Sequence, residues 1–178
     1  LQSVLKIIEP DCKIVEIDGL TEGAACTTLL AEKLIDNKKP LLIANSDQFI
    51  EWNASKSMYK FISKKADGGI LTFEAIHPKW SYAKVDHNNK VLEVAEKKVI
   101  SNNATVGIYY WKQGKDYVKY AKQMIKKNLR INNEFYVCPV FNEALKENKN
   151  ILIDKIDKMW GIGTPEDLKY FIDNFKVK

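Results

Sequence analysis

Three stretches of this chain carry residue types suited to phosphate and metal chemistry. In Pro40-Leu41-Leu42-Ile43-Ala44-Asn45-Ser46-Asp47-Gln48, an apolar run ends in polar groups and a carboxylate. Such a run reads as a strand buried on both faces, as in parallel sheets. Asp47 then stands at the strand's carboxyl end, where open α/β sheets place their ligands. A carboxylate there is a candidate for holding a metal ion beside a phosphate; the alternative is that Ser46-Asp47 caps the next element. The second stretch is Glu96-Lys97-Lys98. A carboxylate that accepts hydroxyl hydrogen bonds, next to an ammonium that pairs with phosphate, suits a sugar phosphate; a solvated charge cluster is the plainer reading. The third, Thr21-Glu22-Gly23-Ala24-Ala25, lies between an apparent strand and a helix amino terminus. Small residues there let a flat ring or a phosphate approach the backbone, although an ordinary tight turn has the same composition.

Other motifs argue against particular chemistries. Gly161-Ile162-Gly163-Thr164 lacks the third glycine and the following strand of a dinucleotide fingerprint, and reads as a turn into a capped helix. His77 and His87 have no partner at ligand spacing, so neither a zinc site nor a nucleophilic triad is indicated. Cys12, Cys26 and Cys138 are odd in number and far apart, as in the reduced thiols of a cytoplasmic protein. The net charge of +5 arises from 28 basic and 23 acidic residues dispersed along the chain, which does not make a nucleic-acid surface. No stretch approaches the roughly 18 apolar residues of a membrane span.

The elements that must position these residues follow from periodicity. At 178 residues the chain is expected to be one domain, 1–178, with a real core. It opens in what reads as the tail of a helix, which leads us to expect truncation at the amino terminus. Alternation over 13–18 predicts a strand, and Ala/Leu-rich sequence over 24–35 a helix. The buried strand ending at Asp47, a helix over 54–65 and a strand over 68–73 complete a β-α-β-α-β series, which implies a largely parallel arrangement. Short strands at 82–86, 91–96 and 105–111 form an antiparallel excursion, with Asp86-His87-Asn88-Asn89 as a hairpin connection. Helices follow at 117–129 and 135–145, then a strand from Ile151 toward Trp160. Thr164-Pro165-Glu166-Asp167 supplies an N-cap, a proline at the first helical position and acids against the helix dipole.

Taken in order, these segments resemble the sugar-phosphate nucleotidyltransferases, the pyrophosphorylases with a glycosyltransferase-A-like fold. The matching pieces are Glu22-Gly23-Ala24-Ala25, Asn45-Ser46-Asp47, Glu96-Lys97, Ala104-Thr105-Val106-Gly107-Ile108-Tyr109, Asn133-Glu134-Phe135-Tyr136 and Gly163-Thr164-Pro165-Glu166-Asp167-Leu168. The resemblance implies a three-layer, Rossmann-like α/β fold with a mixed, mainly parallel sheet flanked by helices. It also implies roles: Glu22, Gly23 and Ser46 at the nucleotide, Asp47 holding Mg²⁺, and Lys97 on the phosphate of a second substrate. Glu96, Gly107, Asn133 and Glu134 would contact the sugar or equivalent moiety. The reaction would be nucleotidyl transfer from a nucleoside triphosphate to a sugar 1-phosphate or related phosphate compound, with release of pyrophosphate, for cell-surface polysaccharide precursor synthesis by a cytoplasmic protein. No nucleic-acid or membrane partner is expected.

Two departures accompany the resemblance. The family's opening strand and glycine-rich triphosphate loop have no counterpart here, so the chain alone is expected to be inactive or impaired. A metal-binding aspartate often precedes the family's Gly-Thr motif, but Gly161 occupies that place, and Asp157 is the nearby candidate substitute. Two other readings stay open: a glycosyltransferase of the same architecture, against which stands the absence of a second aspartate in Asp47-Gln48-Phe49, and a nucleotide-binding module without turnover.

Overall fold

The computed structural model describes residues 2–176. The elements in chain order are α1 (Gln2–Ile8), α2 (Ala24–Leu29), α3 (Glu32–Ile35), β1 (Leu41–Ala44), β2 (Gln48–Glu51), α4 (Ala54–Ser63), β3 (Gly68–Glu74) and β4 (Tyr82–Val85). They continue with β5 (Val91–Ala95), β6 (Asn103–Trp111), α5 (Gly114–Lys126), α6 (Val140–Lys146), β7 (Ile151–Lys155), β8 (Lys158–Gly161) and α7 (Pro165–Asn174).

The main sheet runs β5-β4-β6-β3-β7, with β1 also pairing with β6. Among the described residues only β3 and β7 pair in parallel; the β1–β6, β3–β6, β4–β6 and β4–β5 ladders are antiparallel. The sheet is therefore mixed and mostly antiparallel, which corrects the expectation of a mainly parallel one. One cause is the insertion of β6 between β1 and β3. The β1-α4-β3 series does give two strands of like direction, since both run opposite to β6. Yet β6, from much later in the chain, takes the slot between them, so the two never pair.

β6 earns that central place by composition. All nine of its residues are buried, and successive side chains go to opposite faces. Tyr109 and Trp111 join the core under α5 and α6, whereas Val106, Ile108 and Tyr110 join the core under α4. On the first face Trp111 stacks on Phe141 with centroids 4.3 Å apart. On the second Tyr110 stacks on Phe61 at 5.6 Å. Gly69 admits that Phe61 ring, since a Cβ there would lie 2.5 Å from it. Helices on both faces of the sheet give the expected three layers.

Several expected elements shift. β1 alternates half-buried and exposed residues rather than being buried on both faces, because β6 is its one sheet partner. Residues 13–18 form no strand; Val15 and Ile17 are each 46% exposed, and alternation alone does not supply an edge to pair with. The helix expected over 24–35 is two short helices. The one expected from 135 starts at Val140, after Pro139 at its N-cap position. α7 begins as read, with the Thr164 side chain accepting a hydrogen bond from the Asp167 amide.

β2 and β8 form a separate two-stranded antiparallel sheet. An aromatic cluster holds α7 to it: Phe49 lies 5.3 Å from Phe171 and 4.9 Å from Phe175, and Trp160 lies 5.6 Å from Phe171. This unit sets the chain that follows β1 against the turn that precedes α7.

Candidate active site

A cleft opens where one edge of β6 changes partner. The Thr105 amide donates to the Ser81 carbonyl just before β4, and two residues on, the Gly107 carbonyl accepts from the Asn45 amide just after β1. Between these bonds no strand covers the edge, and a cleft of about 310 Å³ sits there. Gly107 is at φ +71°, and a Cβ on it would lie 2.5 Å from the Asn45 side chain. Only glycine suits this backbone and this close approach.

On the β4 side, Glu96 is buried and accepts a hydrogen bond from the Ser81 hydroxyl. Burial pushes the Glu96 carboxyl up from the usual carboxylate value, and the Ser81 bond and the Lys97 charge only partly oppose this. Behind it, the Thr105 hydroxyl and the Tyr109 phenol lie 3.0 Å apart. The Cys138 thiol is raised well above its ordinary value, first by burial and then by the Glu96 charge, so it is inert. Lys97 turns outward: its amide donates to the Trp80 carbonyl at 3.1 Å, and its φ of +51° is unusual for a residue with a Cβ. Its ammonium donates to the Tyr136 hydroxyl at 2.6 Å, which raises the Lys97 pKa.

On the β1 side the chain is polar and open. Asp47 is exposed, and its carbonyl accepts from the Ile162 amide at 2.9 Å. This clamps Asp47 against the turn before α7, where a Cβ on Gly163 would come within 2.8 Å of the Asp47 Oδ2. A Cβ on Gly161 would lie 3.4 Å from the Asp167 Oδ2. Both carboxylates line an adjoining hollow of about 200 Å³. Asn45, Asp47, Gln48, Lys79 and Trp80 line both spaces, and the buried Gln48 Nε2 has no hydrogen-bond partner among the described residues. Oxygen donors of this kind suit a hard divalent cation, and an unpaired amide donor suits a phosphate oxygen. No cluster of three or more His, Cys, Asp or Glu side chains occurs among the described residues.

The Glu22-Gly23 turn reaches the same cleft through Ala24. It is bound to the loop ahead of α6: the Phe135 amide donates to the Glu22 carbonyl at 2.8 Å, and the Phe135 carbonyl accepts from Ala25 at 2.9 Å. Gly23, at φ +121°, would place a Cβ 2.6 Å from the Phe135 backbone.

The sequence pattern of the family described as Nucleotidyl transferase matches residues 7–174. This chain belongs to the nucleotidyl transferase family. Among solved structures it is similar to the nucleoside-diphosphate-sugar pyrophosphorylase from Vibrio cholerae RC9, at 25% identity and TM-score 0.77, over 90% of this chain and 68% of that one. It is also similar to a UDP-glucose pyrophosphorylase complexed with UDP-glucose, at 17% identity and TM-score 0.72, over 97% and 71% of the two chains. A putative glucose-1-phosphate thymidylyltransferase from Bacillus anthracis gives 17% and 0.69, over 92% and 66%. The chain thus spans about two thirds of the length of each. No curated relative matches it by sequence.

Within this nucleotidyl transferase, the expected site residues divide. Asp47, Glu96, Lys97 and Gly107 converge on one cleft. Ser46 is exposed and lines neither space, and the Glu22 carboxylate is paired with Arg130. Asn133 and Glu134 flank the cleft rather than line it; the Asn133 carbonyl accepts from Arg130 at 3.1 Å. Asp157 lines a different hollow, with Asn53, Ser57 and Asp154, and is not brought to Asp47. Sequence reasoning missed Asp167, Lys79 and Tyr136 as contributors. Asp167 was legible as a helix-dipole acid within the Gly163–Leu168 piece but not as a site residue, and Tyr136 only as part of a weak motif.

Proposed function

We propose that this protein catalyses nucleotidyl transfer from a nucleoside triphosphate to a sugar 1-phosphate or related phosphate compound, with release of pyrophosphate. The observation that carries this reading is the single cleft at the partner change of β6, with the Asp47–Asp167 hollow at one end and Glu96–Lys97 at the other. The two carboxylates suit a cation beside one substrate's phosphates, and the Lys97 ammonium next to Glu96 suits the phosphate of the other, while Lys79, 3.9 Å from Asp167, lines both spaces. The relatives' printed descriptions support the same class, because they include a nucleoside-diphosphate-sugar pyrophosphorylase and one that holds UDP-glucose.

The phosphate oxygen of the second substrate attacks the α-phosphorus, the bond between that phosphorus and the α–β bridging oxygen breaks, and pyrophosphate leaves with the electron pair. Such transfer needs alignment and charge neutralisation more than covalent help. In this reading Lys97 holds the attacking phosphate, and Glu96 with the Gly107 backbone orients the attached sugar. The Glu22-Gly23-Ala24 backbone lies along the base. Asp47 and Asp167 would hold Mg²⁺, which when bound neutralises phosphate oxygens and favours departure of pyrophosphate. Asp157 is not part of this proposal. The product is the activated form in which a sugar enters a polysaccharide, which fits a biosynthetic role in the cytoplasm. Among the described residues no helix is long and apolar enough to cross a membrane. The chain also carries no glycine-rich anion loop, so we expect the 178-residue chain by itself to turn over weakly.

The test is pyrophosphate release by the full-length protein with Mg²⁺, each triphosphate and a panel of sugar 1-phosphates. Release with one pair supports the reading. A folded protein silent with every pair counts against it and favours a binding module.

A further inference from the structure

Lys97 is an exposed lysine at the end of a hairpin, and a free ammonium on four rotatable carbons is a poor positioning device. Here it is not free. Its Nζ lies 2.6 Å from the Tyr136 hydroxyl and 4.8 Å from the centre of the Tyr136 ring. One N–H is thereby used and two remain for an incoming anion. Tyr136 is in turn tied, through its neighbour, to the Glu22-Gly23 turn. Phe135, its neighbour, exchanges two backbone hydrogen bonds with the Glu22-Gly23-Ala24-Ala25 turn. The Phe135 ring also carries the Arg130 guanidinium 4.1 Å above it, and that guanidinium pairs with Glu22.

We propose that Tyr136 is a positioning residue: its hydroxyl fixes the Lys97 ammonium at the cleft mouth and joins it mechanically to the Glu22-Gly23 turn. The inference rests on the reading of Lys97 as the phosphate contact. It adds that the cation for one substrate is anchored from the turn assigned to the other. Glu96 and Glu134 also face Lys97 by charge, but Tyr136 makes its closest contact. The Lys97 turn and the Glu22-Gly23 turn are thus linked through Tyr136 and Phe135, and loosening the Tyr136 contact degrades phosphate capture without removing any group from substrate.

The experiment compares the full-length protein with Tyr136→Phe, Lys97→Ala and the double variant. Trace acetylation of lysines, read by mass spectrometry, needs no substrate. Tyr136→Phe should speed labelling of Lys97 roughly threefold or more relative to Lys119 on α5, because the bond favouring its charged, immobile form is gone. In kinetics, Tyr136→Phe should raise KM for the phosphorylated substrate about 5–10-fold with kcat little changed. That effect should vanish in the Lys97→Ala background, as expected for coupled groups. Unchanged Lys97 labelling, or a Tyr136→Phe effect that adds fully to Lys97→Ala, overturns the positioning role. If Lys97→Ala leaves that KM unchanged, the phosphate reading of Lys97 falls instead, while the labelling ratio still decides the Tyr136 contact.

Discussion

The two walls of the cleft hold their carboxylates in opposite ways. Glu96 is buried, bonded to Ser81 and pushed upward in pKa by lost solvation. Asp47 is exposed, and only its backbone is tied down, through the Ile162 amide. A buried carboxylate with one neutral partner has acceptor capacity left for hydroxyl groups and is already desolvated. An exposed one can exchange its water for a hard cation. In the proposed reading, this difference would assign sugar recognition to Glu96 and charge neutralisation to Asp47.

Replacing the exposed carboxylate should break this comparison most severely. We expect Asp47→Asn to leave the melting temperature near the parent's while reducing turnover about 1,000-fold, and to lose Mn²⁺ binding in a calorimetric titration. Retained turnover would remove the charge-neutralising wall from the account. A smaller loss, about 100-fold, is expected for Gly163→Ala, because the new Cβ would meet the Asp47 Oδ2 at 2.8 Å and displace it. Turnover near the parental rate would mean that this turn does not place Asp47. Asp167→Asn should weaken Mn²⁺ affinity about 10-fold, with a matching shift in the Mg²⁺ concentration needed for half-maximal rate. An unshifted titration would leave Asp47 alone on that wall.

The buried wall gives the smallest effect and the sharpest contrast in pH. Because the Glu96 pKa is raised in the fold, its contribution to stability is fully present below the unfolded value and is lost as pH rises through the folded value. Glu96→Gln should therefore melt higher than the parent at pH 8 and equally at pH 4, while KM for the phosphorylated substrate rises severalfold. A stability difference that is the same at both pH values would show that burial does not penalise this charge.

Much of the architecture was legible locally. The α7 cap came straight from Thr164-Pro165-Glu166-Asp167, because capping is settled by neighbours within one turn. The β4–β5 hairpin likewise follows from Asp86-His87-Asn88-Asn89, where the Asp86 side chain accepts from the Asn88 and Lys90 amides. β6 was read as a strand, but not as the one that separates β1 from β3, since strand order depends on partners far apart in the chain. The 13–18 alternation misled for the same reason: a strand pattern needs a neighbour to become a strand.

The site divides along the same line. Sequence alone determined the groups available: a carboxylate after an apolar strand, a Glu-Lys pair after another, and glycines at 23, 107 and 163. Tertiary structure decided which of them meet. It tied Glu22 to Arg130, left Ser46 outside, sent Asp157 to another hollow, and brought in Asp167 and Tyr136. Covalent neighbours set local conformation through short hydrogen bonds and backbone dihedral limits. Proximity across the cleft was set by burial of the all-apolar and aromatic face of β6, a long-range effect that no local pattern encodes.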